Sequence, residues 1–264
     1  MSAPVFLAEP TLLDRYLPGS VYVLEGAEAR HAGVVQRRRP GERVDVVDGR
    51  GVRLECTIAA VDPGRLTLEV VDRHDEAAPG VRLALAQALA KGDRDELAIE
   101  AATEVGADEV VPWQAARSVV VWRGERAARS RARWIATVRE ATKQSRRAHV
   151  PCVAEAVDTR GLAERVRDVV AHGGAVLVLH EAADLPIDGV PLPTGDVGPG
   201  GLPVTVLVVV GPEGGISDDE ISVLAAAGAL VVRLGPHVLR TSTAGPIALA
   251  LLAQRLGRWT VDEP

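Results

Sequence analysis

The chain of 264 residues has only two cysteines, Cys56 and Cys152, far apart, with no CxxC pair and no clustered histidines. That excludes a disulfide scaffold, argues against a structural zinc site, and points to a reducing cytoplasmic compartment. No run reaches the roughly 20 apolar residues that span a bilayer. The opening MSAPVFLAEPTLLDR lacks the charged start and apolar run of a signal peptide. Also missing are the phosphate-binding lysine of a P-loop, a GxGxxG fingerprint and any internal repeat. The expectation is a cytoplasmic protein without metal or membrane partner. What is present is 47% apolar and 25% charged residues, the mix of a globular protein with a real core. The length allows one large domain or two ordinary ones.

A net charge of −6 disfavours a nucleic-acid partner, yet the cations are unevenly placed. Between Arg117 and Arg147 ten basic residues face only Glu125 and Glu140, a surplus of eight. A second knot is Arg30, Arg37, Arg38, Arg39 and Arg43. Such runs read either as solvated faces or as phosphate-binding surfaces. Twenty-eight of the 30 cations are arginine, which genome composition alone could produce.

Strand signals come first along the chain. Ser20–Glu25, Glu42–Val47, Val52–Val61 and Arg65–Val71 are valine-rich and separated by turn chemistry at Asp48–Gly51 and Asp62–Gly64. They predict a small β-barrel over 1–72, followed by a charged linker over 73–80. From 81 onward the rhythm is that of an α/β domain with a mostly parallel sheet. Buried-type strands are expected at Val81–Ala88, Glu109–Pro112, Ala175–His180, Val204–Val210 and Leu230–Leu234. Helices are expected at Asp93–Val105 with Leu97, Ala101 and Val105 inward, and at Ala127–Ser145 with Trp134, Ile135, Val138 and Ala141 inward. Two more follow, Ser217–Ala227 behind a Ser217/Glu220 capping box and Pro246–Leu256 with proline in its first turn. The five prolines and five glycines of Pro186–Pro203 predict a mobile surface loop.

Two glycine-bearing strand ends carry most of the chemical information. Gly211-Pro212-Glu213-Gly214-Gly215 follows a buried strand and precedes a capped helix, so it reads as a tight turn or a loop against which a ligand lies. Leu234-Gly235 leads to Leu239-Arg240-Thr241-Ser242-Thr243-Ala244, where an arginine and three hydroxyls could grip a ligand. Thr243 could equally cap the last helix.

Taken in order, these motifs resemble the ribosomal RNA small-subunit methyltransferase E family of the SPOUT (trefoil-knotted) methyltransferases. The likeness rests on Lys91-Gly92-Asp93-Arg94, Ala102–Ala107, Arg117-Ser118, Arg139–Arg147 and Val150-Pro151. Gly211–Gly215, Glu220, Leu234-Gly235 and Leu239–Ala244 extend it, and His31, Arg37, Gly41 and Asp48-Gly49 match the family's RNA-binding entry domain. The resemblance runs from end to end. It implies a PUA-like N-terminal barrel, a knot at about 204–256 and a homodimer. It also implies methyl transfer from S-adenosylmethionine to N3 of a uridine in 16S ribosomal RNA, the substrate being an assembled small subunit.

Carried over residue by residue, the cofactor would touch His180, Glu181, Gly211, Pro212, Glu213, Gly214, Gly215, Leu234, Gly235, Leu239, Thr241, Ser242 and Thr243. Arg240 would stabilise the imide anion as uridine N3 loses its proton, or else clamp a phosphate or join an ion pair. Glu213 is the nearby acid, either a base or a partner for backbone and cofactor amines. The family often has LRTETA, and Ser242 here replaces that glutamate. Arg30, His31, Arg37, Arg38, Arg39, Arg117, Arg139, Lys143, Arg146 and Arg147 would face RNA, although His31 could instead pack in the barrel. Trp122 and Trp134 could stack bases, with Trp134 at core spacing. The remaining readings are a SPOUT enzyme acting on transfer RNA or a ribose 2′-hydroxyl, and a non-catalytic RNA-binding protein with the same fold. The intact glycine loops count against the binder.

Overall fold

The computed structural model describes residues 3–8, 13–194 and 203–259. The chain divides into two compact units, one of Met1–Ala78 with Thr142–Val150, the other of Pro79–Ala141 with Pro151–Pro264.

The first unit contains β1 (Val5–Leu7), β2 (Val21–Glu25), α1 (Gly26–Arg30), β3 (Arg43–Val47), β4 (Val52–Asp62) and β5 (Arg65–Asp75). The strand order is β1-β3-β4-β5-β2, with β1 parallel to β3 and the other pairs antiparallel. Along β4 the residues Val52, Leu54, Cys56 and Ile58 alternate inward, as a half-buried strand requires. They pack with Phe6, Leu24, Val46, Leu66 and Leu68. Burial pushes the Cys56 thiol up to about 12, so it behaves as a small apolar side chain.

Three features depart from the sequence reading. Strand β5 runs through Asp75, so the stretch read as a linker begins inside a strand. Helix α1 and the π-helical turn His31–Val35 that continues it fill the interval between β2 and β3. Most informative is the return of Thr142–Val150 to this unit. Val150 N–H donates to the Gly49 carbonyl at 2.9 Å, Arg53 donates to the Arg146 carbonyl at 2.8 Å, and Ala148 packs with Val5, Leu7 and Val47. Local periodicity carries no trace of pairings made across some hundred residues.

The second unit is built on β6 (Val81–Ala88), α2 (Arg94–Glu104), β7 (Glu109–Gln114), α3 (Glu125–Gln144, its last three residues belonging to the first unit), β8 (Cys152–Val153) and β9 (Val157–Asp158). It continues with α4 (Thr159–Ala171), β10 (Ala175–Leu179), β11 (Val204–Val210), α5 (Asp218–Ala226), β12 (Leu230–Val232) and α6 (Thr241–Arg255). The sheet order is β12-β10-β11-β6-β7-β8, with β9 also on β7, and every pairing is parallel. Ala84, Ala86, Val111, Val178 and Val209 meet α4 and α5 on one face. Leu83, Leu85, Val206 and Val208 are buried under the other. Both faces are covered, which is why these strands read as unbroken apolar runs.

Helix details correct several expectations. In α2 the buried residues are Asp95, Ala98, Ile99, Ala102 and Thr103, whereas Leu97 is 54% exposed. Helix α2 lies against α6, and the small Ala98 and Ala102 permit that contact. Helix α6 begins at Thr241, not Pro246. Pro246 lies inside it without the N–H that would reach the Ser242 carbonyl. Arg240 occupies the N-cap position without a side-chain cap, so Thr243 does not cap this helix. Helix α4, absent from the sequence reading, is capped by Asp158, whose carboxylate accepts the Gly161 N–H at 2.8 Å. Within Pro186–Pro203, Ile187 and Val190 are buried, so this part is packed structure; 195–202 lie outside the described residues.

Helix α6 approaches the sheet closely at Gly245, where a Cβ would stand 2.8 Å from Leu85 Cδ1 and 3.4 Å from Val210 Cγ2. Gly245→Val should therefore destabilise the protein by about 1–3 kcal/mol through overpacking. Adding Leu85→Ala should recover part of that loss, because the two changes share one space. Strict additivity in urea unfolding would show that Gly245 does not set the helix–sheet distance.

Candidate functional site

Because every strand of the second sheet runs the same way, their carboxyl ends share one edge, where ligands collect in open α/β sheets. A cleft of about 700 Å³ opens there, within the size range of small-molecule sites. Its walls come from the ends of β10, β11 and β12 and from the approach to α6. His180 and Glu181 follow β10, Gly211–Gly215 follow β11, and Leu234, Gly235 and Leu239 follow β12. Arg240 and Thr241 complete that group. Eleven of the thirteen residues expected to touch a cofactor thus line a single cleft; Ser242 and Thr243 do not.

The glycine loop is fastened from three directions. Thr241, only 8% exposed, receives Gln87 Nε2–H at 2.9 Å and donates its hydroxyl to the Gly211 carbonyl at 2.7 Å. Thr241 therefore ties the start of α6 to the end of β11. Arg117 donates to the Gly214 carbonyl at 3.0 Å and lines the cleft, so it belongs to this site. A Cβ on Gly214 would meet Arg117 Cβ at 3.2 Å, so a side chain there presses on Arg117 before it reaches a ligand.

Glu213 makes the third tie. Its carboxylate accepts from Arg94 at 2.7 Å and from the Lys91 backbone N–H at 3.2 Å. Burial alone would raise its pKa, but its own backbone N–H together with Arg94 and Lys91 outweighs that, leaving it below the ordinary carboxylate value. A carboxylate held ionised by an arginine is a poor proton acceptor. The geometry makes Glu213 an anchor between the loops after β6 and β11.

Behind the loop lies Glu220, only 5% exposed. It accepts from the Ala116 N–H and the Thr159 hydroxyl, both at 2.8 Å, and from the Ser217 N–H and hydroxyl at 3.1 and 2.9 Å. Burial raises its pKa, yet these donors together lower it below the usual 4.5. The sequence signalled only the capping box; the reach to Ala116 and Thr159 joins three loops.

Several of the basic residues are engaged within their own unit. Lys143 is ion-paired with Glu28 at 2.9 Å, both side chains 11% exposed, so it is structural. Arg38 pairs with Glu42 at 3.2 Å. His31 packs edge-on to Phe6 and contacts Gln36 Nε2 at 3.0 Å. Arg30, Arg37, Arg39 and Arg146 are exposed, and Arg139 and Arg147 half-buried. Within the run from Arg117, Arg131 donates to the Val153 and Ala154 carbonyls and Arg133 pairs with Glu96 at 2.7 Å. The cleft also gathers Arg94, Arg233, Asp218, His237 and Val238, which the sequence reading did not assign to it. Arg94 ends the Lys91-Gly92-Asp93-Arg94 motif, and Arg233 and His237 flank Leu234-Gly235, so proximity in sequence is their available signal. Among the described residues no group of three His, Cys, Asp or Glu side chains could hold a metal.

Known proteins resemble this chain in sequence and in fold. A family model described as an RNA methyltransferase domain matches residues 77–253, and one described as an RNA methyltransferase PUA domain matches 24–71. The Ribosomal RNA small subunit methyltransferase E of Mycobacterium bovis is 46% identical over 91% of this chain and 89% of its own. The crystal structure of a Neisseria gonorrhoeae Ribosomal RNA small subunit methyltransferase E bound to S-adenosyl methionine superposes with a TM-score of 0.83 at 25% identity, covering 98% of this chain and 100% of that one. A Legionella pneumophila methyltransferase in complex with bound SAM gives 0.80 at 27% identity, covering 97% and 98%.

Glu220→Gln should cost about 1–3 kcal/mol, since an amide NH2 would face donors. The folded pKa is the lower one, so the stability Glu220 adds is complete above the ordinary value of 4.5 and drains as pH falls through the folded value. Urea unfolding should accordingly show less acid sensitivity in the variant below that pH. Parallel pH profiles for variant and wild type would contradict the bonding described.

Proposed function

This chain belongs to the ribosomal RNA small subunit methyltransferase E family, and we propose that it methylates N3 of one uridine in 16S ribosomal RNA using S-adenosylmethionine. It is an RNA methyltransferase with a PUA-like first unit. The observation that carries the reading is the convergence of three adjacent parallel strand ends, two of them bearing glycines, on one cleft.

The cleft fits the cofactor on its own chemistry. Backbone groups after β10, β11 and β12 can bind the adenine and ribose edges, and Glu181 and Asp218 supply acceptors for hydroxyl or ammonium groups. Bound there, the cofactor supplies an electrophilic methyl, so the protein's tasks are alignment and management of one proton. Uridine N3 must lose its proton to solvent at the open cleft as the new carbon–nitrogen bond replaces the methyl's bond to sulfur. Arg240, exposed at the N-cap of α6 and lining the cleft, supports that step by donating to the developing imide anion. Glu213 stays with Arg94 and keeps the glycine loop in shape.

Exposed Leu97 on α2 and Ile247 and Leu251 on α6 offer apolar surface for a homodimer of the second unit. Sedimentation velocity should give a dimer that Leu251→Glu shifts toward monomer; an unaltered distribution would exclude this face. The trefoil knot, the cytoplasmic location and an assembled small subunit as substrate complete the proposal by family likeness.

The decisive experiment follows product and variant together. Calorimetry should show cofactor binding that EDTA leaves untouched. N3 is a Watson–Crick donor, so its methylation should stop reverse transcriptase at one position of 16S RNA, and Arg240→Ala should lower that turnover by about 10²–10³ while cofactor binding persists. A methyl on ribose or carbon 5 would overturn the N3 assignment. Normal turnover by the variant at saturating RNA would make Arg240 a phosphate clamp.

A further inference from the structure

A second concavity of about 450 Å³ lies in the same unit and shares no lining residue with the cleft. It is bounded by Gln114, Trp122, Ala156, Val157, Asp158 and Gly161. We propose that this groove receives one nucleobase of single-stranded RNA, stacked on Trp122 with its amino or imino edge toward Asp158. The inference rests on the proposed function only in taking RNA as the substrate.

Trp122 is held rather than loose. Gln114 donates its amide to the Val120 carbonyl at 3.0 Å and accepts the Trp122 backbone N–H at 3.2 Å, which shapes the loop after β7. The indole meets buried Trp134 at 5.3 Å between ring centroids and 78° between planes. That edge-to-face contact fixes the ring while the side chain stays half-exposed on the groove. A fixed, partly exposed indole loses little freedom when a base stacks on it, and any base has a π-face to offer.

Asp158 adds direction. One carboxylate oxygen caps α4 by accepting the Gly161 N–H, and the group is exposed at the groove wall. An ionised carboxylate only accepts hydrogen bonds, so it favours base edges bearing N–H donors. Guanine, with adjacent imino and amino donors, suits it best. The charge alongside fits RNA as well. Arg123 follows Trp122 directly, and Arg126 and Arg129, three apart and so on one side of α3, are exposed. An apolar protein partner would have no use for three exposed guanidinium groups within seven residues of Trp122 along the chain. The groove is also continuous with the cleft along the chain. Arg117 lines the cleft and Trp122 the groove, and five residues of chain span at most about 18 Å. A strand whose target base enters the cleft can thus place a nearby base on Trp122.

The test uses the full chain and labelled single-stranded oligoribonucleotides of each base composition. Ultraviolet crosslinking followed by mass spectrometry should place adducts on wild-type peptides containing Trp122 or Asp158; adducts confined elsewhere would overturn the proposal without any variant. Trp122→Ala should weaken oligonucleotide binding about ten- to a hundredfold, whereas Trp122→Phe should keep most of it. Cofactor affinity should hold in both. Asp158→Asn, which preserves the helix cap, should lower the preference for guanine-containing strands. If Trp122→Ala folds and binds every strand as wild type does, or changes only the oligomeric state, the groove is not an RNA site. Loss of RNA binding in Trp122→Ala beside a wild type that transfers no methyl would leave the groove standing and the proposed activity refuted.

Discussion

Parallel pairing of β12, β10, β11, β6 and β7 is the constraint on which the candidate site depends. Strands that run the same way cannot be joined by hairpins, so each must be followed by a crossover, and each crossover starts at the same edge. Four such starts converge here: the loops after β6, β7, β10 and β11, with the segment after β12 closing the ring. Helix α6 then packs back on β6 and β11, possible only because Gly245 brings no side chain to Leu85 and Val210. That close packing positions Arg240 and Thr241 at the rim.

Loops that converge still need to be held, and carboxylates do most of the holding. Glu213 joins the loop after β6 to the glycine loop through Arg94 and the Lys91 N–H. Glu220 joins the loop after β7 to the starts of α4 and α5 through four donors. The two differ in kind. Glu213 leans on a cation at a half-open surface, where a pair contributes modestly. Glu220 is buried and, among the described residues, pairs with no cation, so its charge is tolerated because neutral donors surround it. Glu213 lines the cleft and Glu220 lies behind it, and both carboxylates are engaged in holding loops, whereas Arg240 stands exposed in the cleft where chemistry could use it.

How much of this the sequence discloses depends on the range of the interaction. Strands buried on both faces announce themselves as apolar runs, and Val204–Val210 is legible to the residue. The Ser217/Glu220 capping box is equally local and equally legible. Helix α2 shows the limit: Leu97, Ala101 and Val105 make a plausible stripe, but the contact with α6 selects the small Ala98 and Ala102 one position on. Helix α6 starts early because Pro246 can be accommodated inside a helix, a choice made by tertiary packing. The union of Thr142–Val150 with the first unit rests on pairings to Gly49, Gly51 and Arg53, and no window of local sequence contains both partners.

The arginine-rich run from Arg117 to Arg147 shows why a charge count is weaker than a charge map. Summed, it suggests one cationic face. In the structure Arg117 braces the glycine loop, Arg131 satisfies carbonyls at the end of β8, Arg133 pairs with Glu96, and Lys143 is buried against Glu28. Each of these contacts serves the fold, and the exposed members without such a contact among the described residues, Arg123, Arg126 and Arg129 among them, are the ones left to meet a phosphate. A desolvated pair such as Lys143–Glu28 changes little with added salt, while exposed arginines are screened over about 10 Å at 0.1 M. Salt dependence of RNA binding therefore reports the exposed subset alone. Its slope should be shallower than ten cations would give, even if every exposed arginine touches RNA.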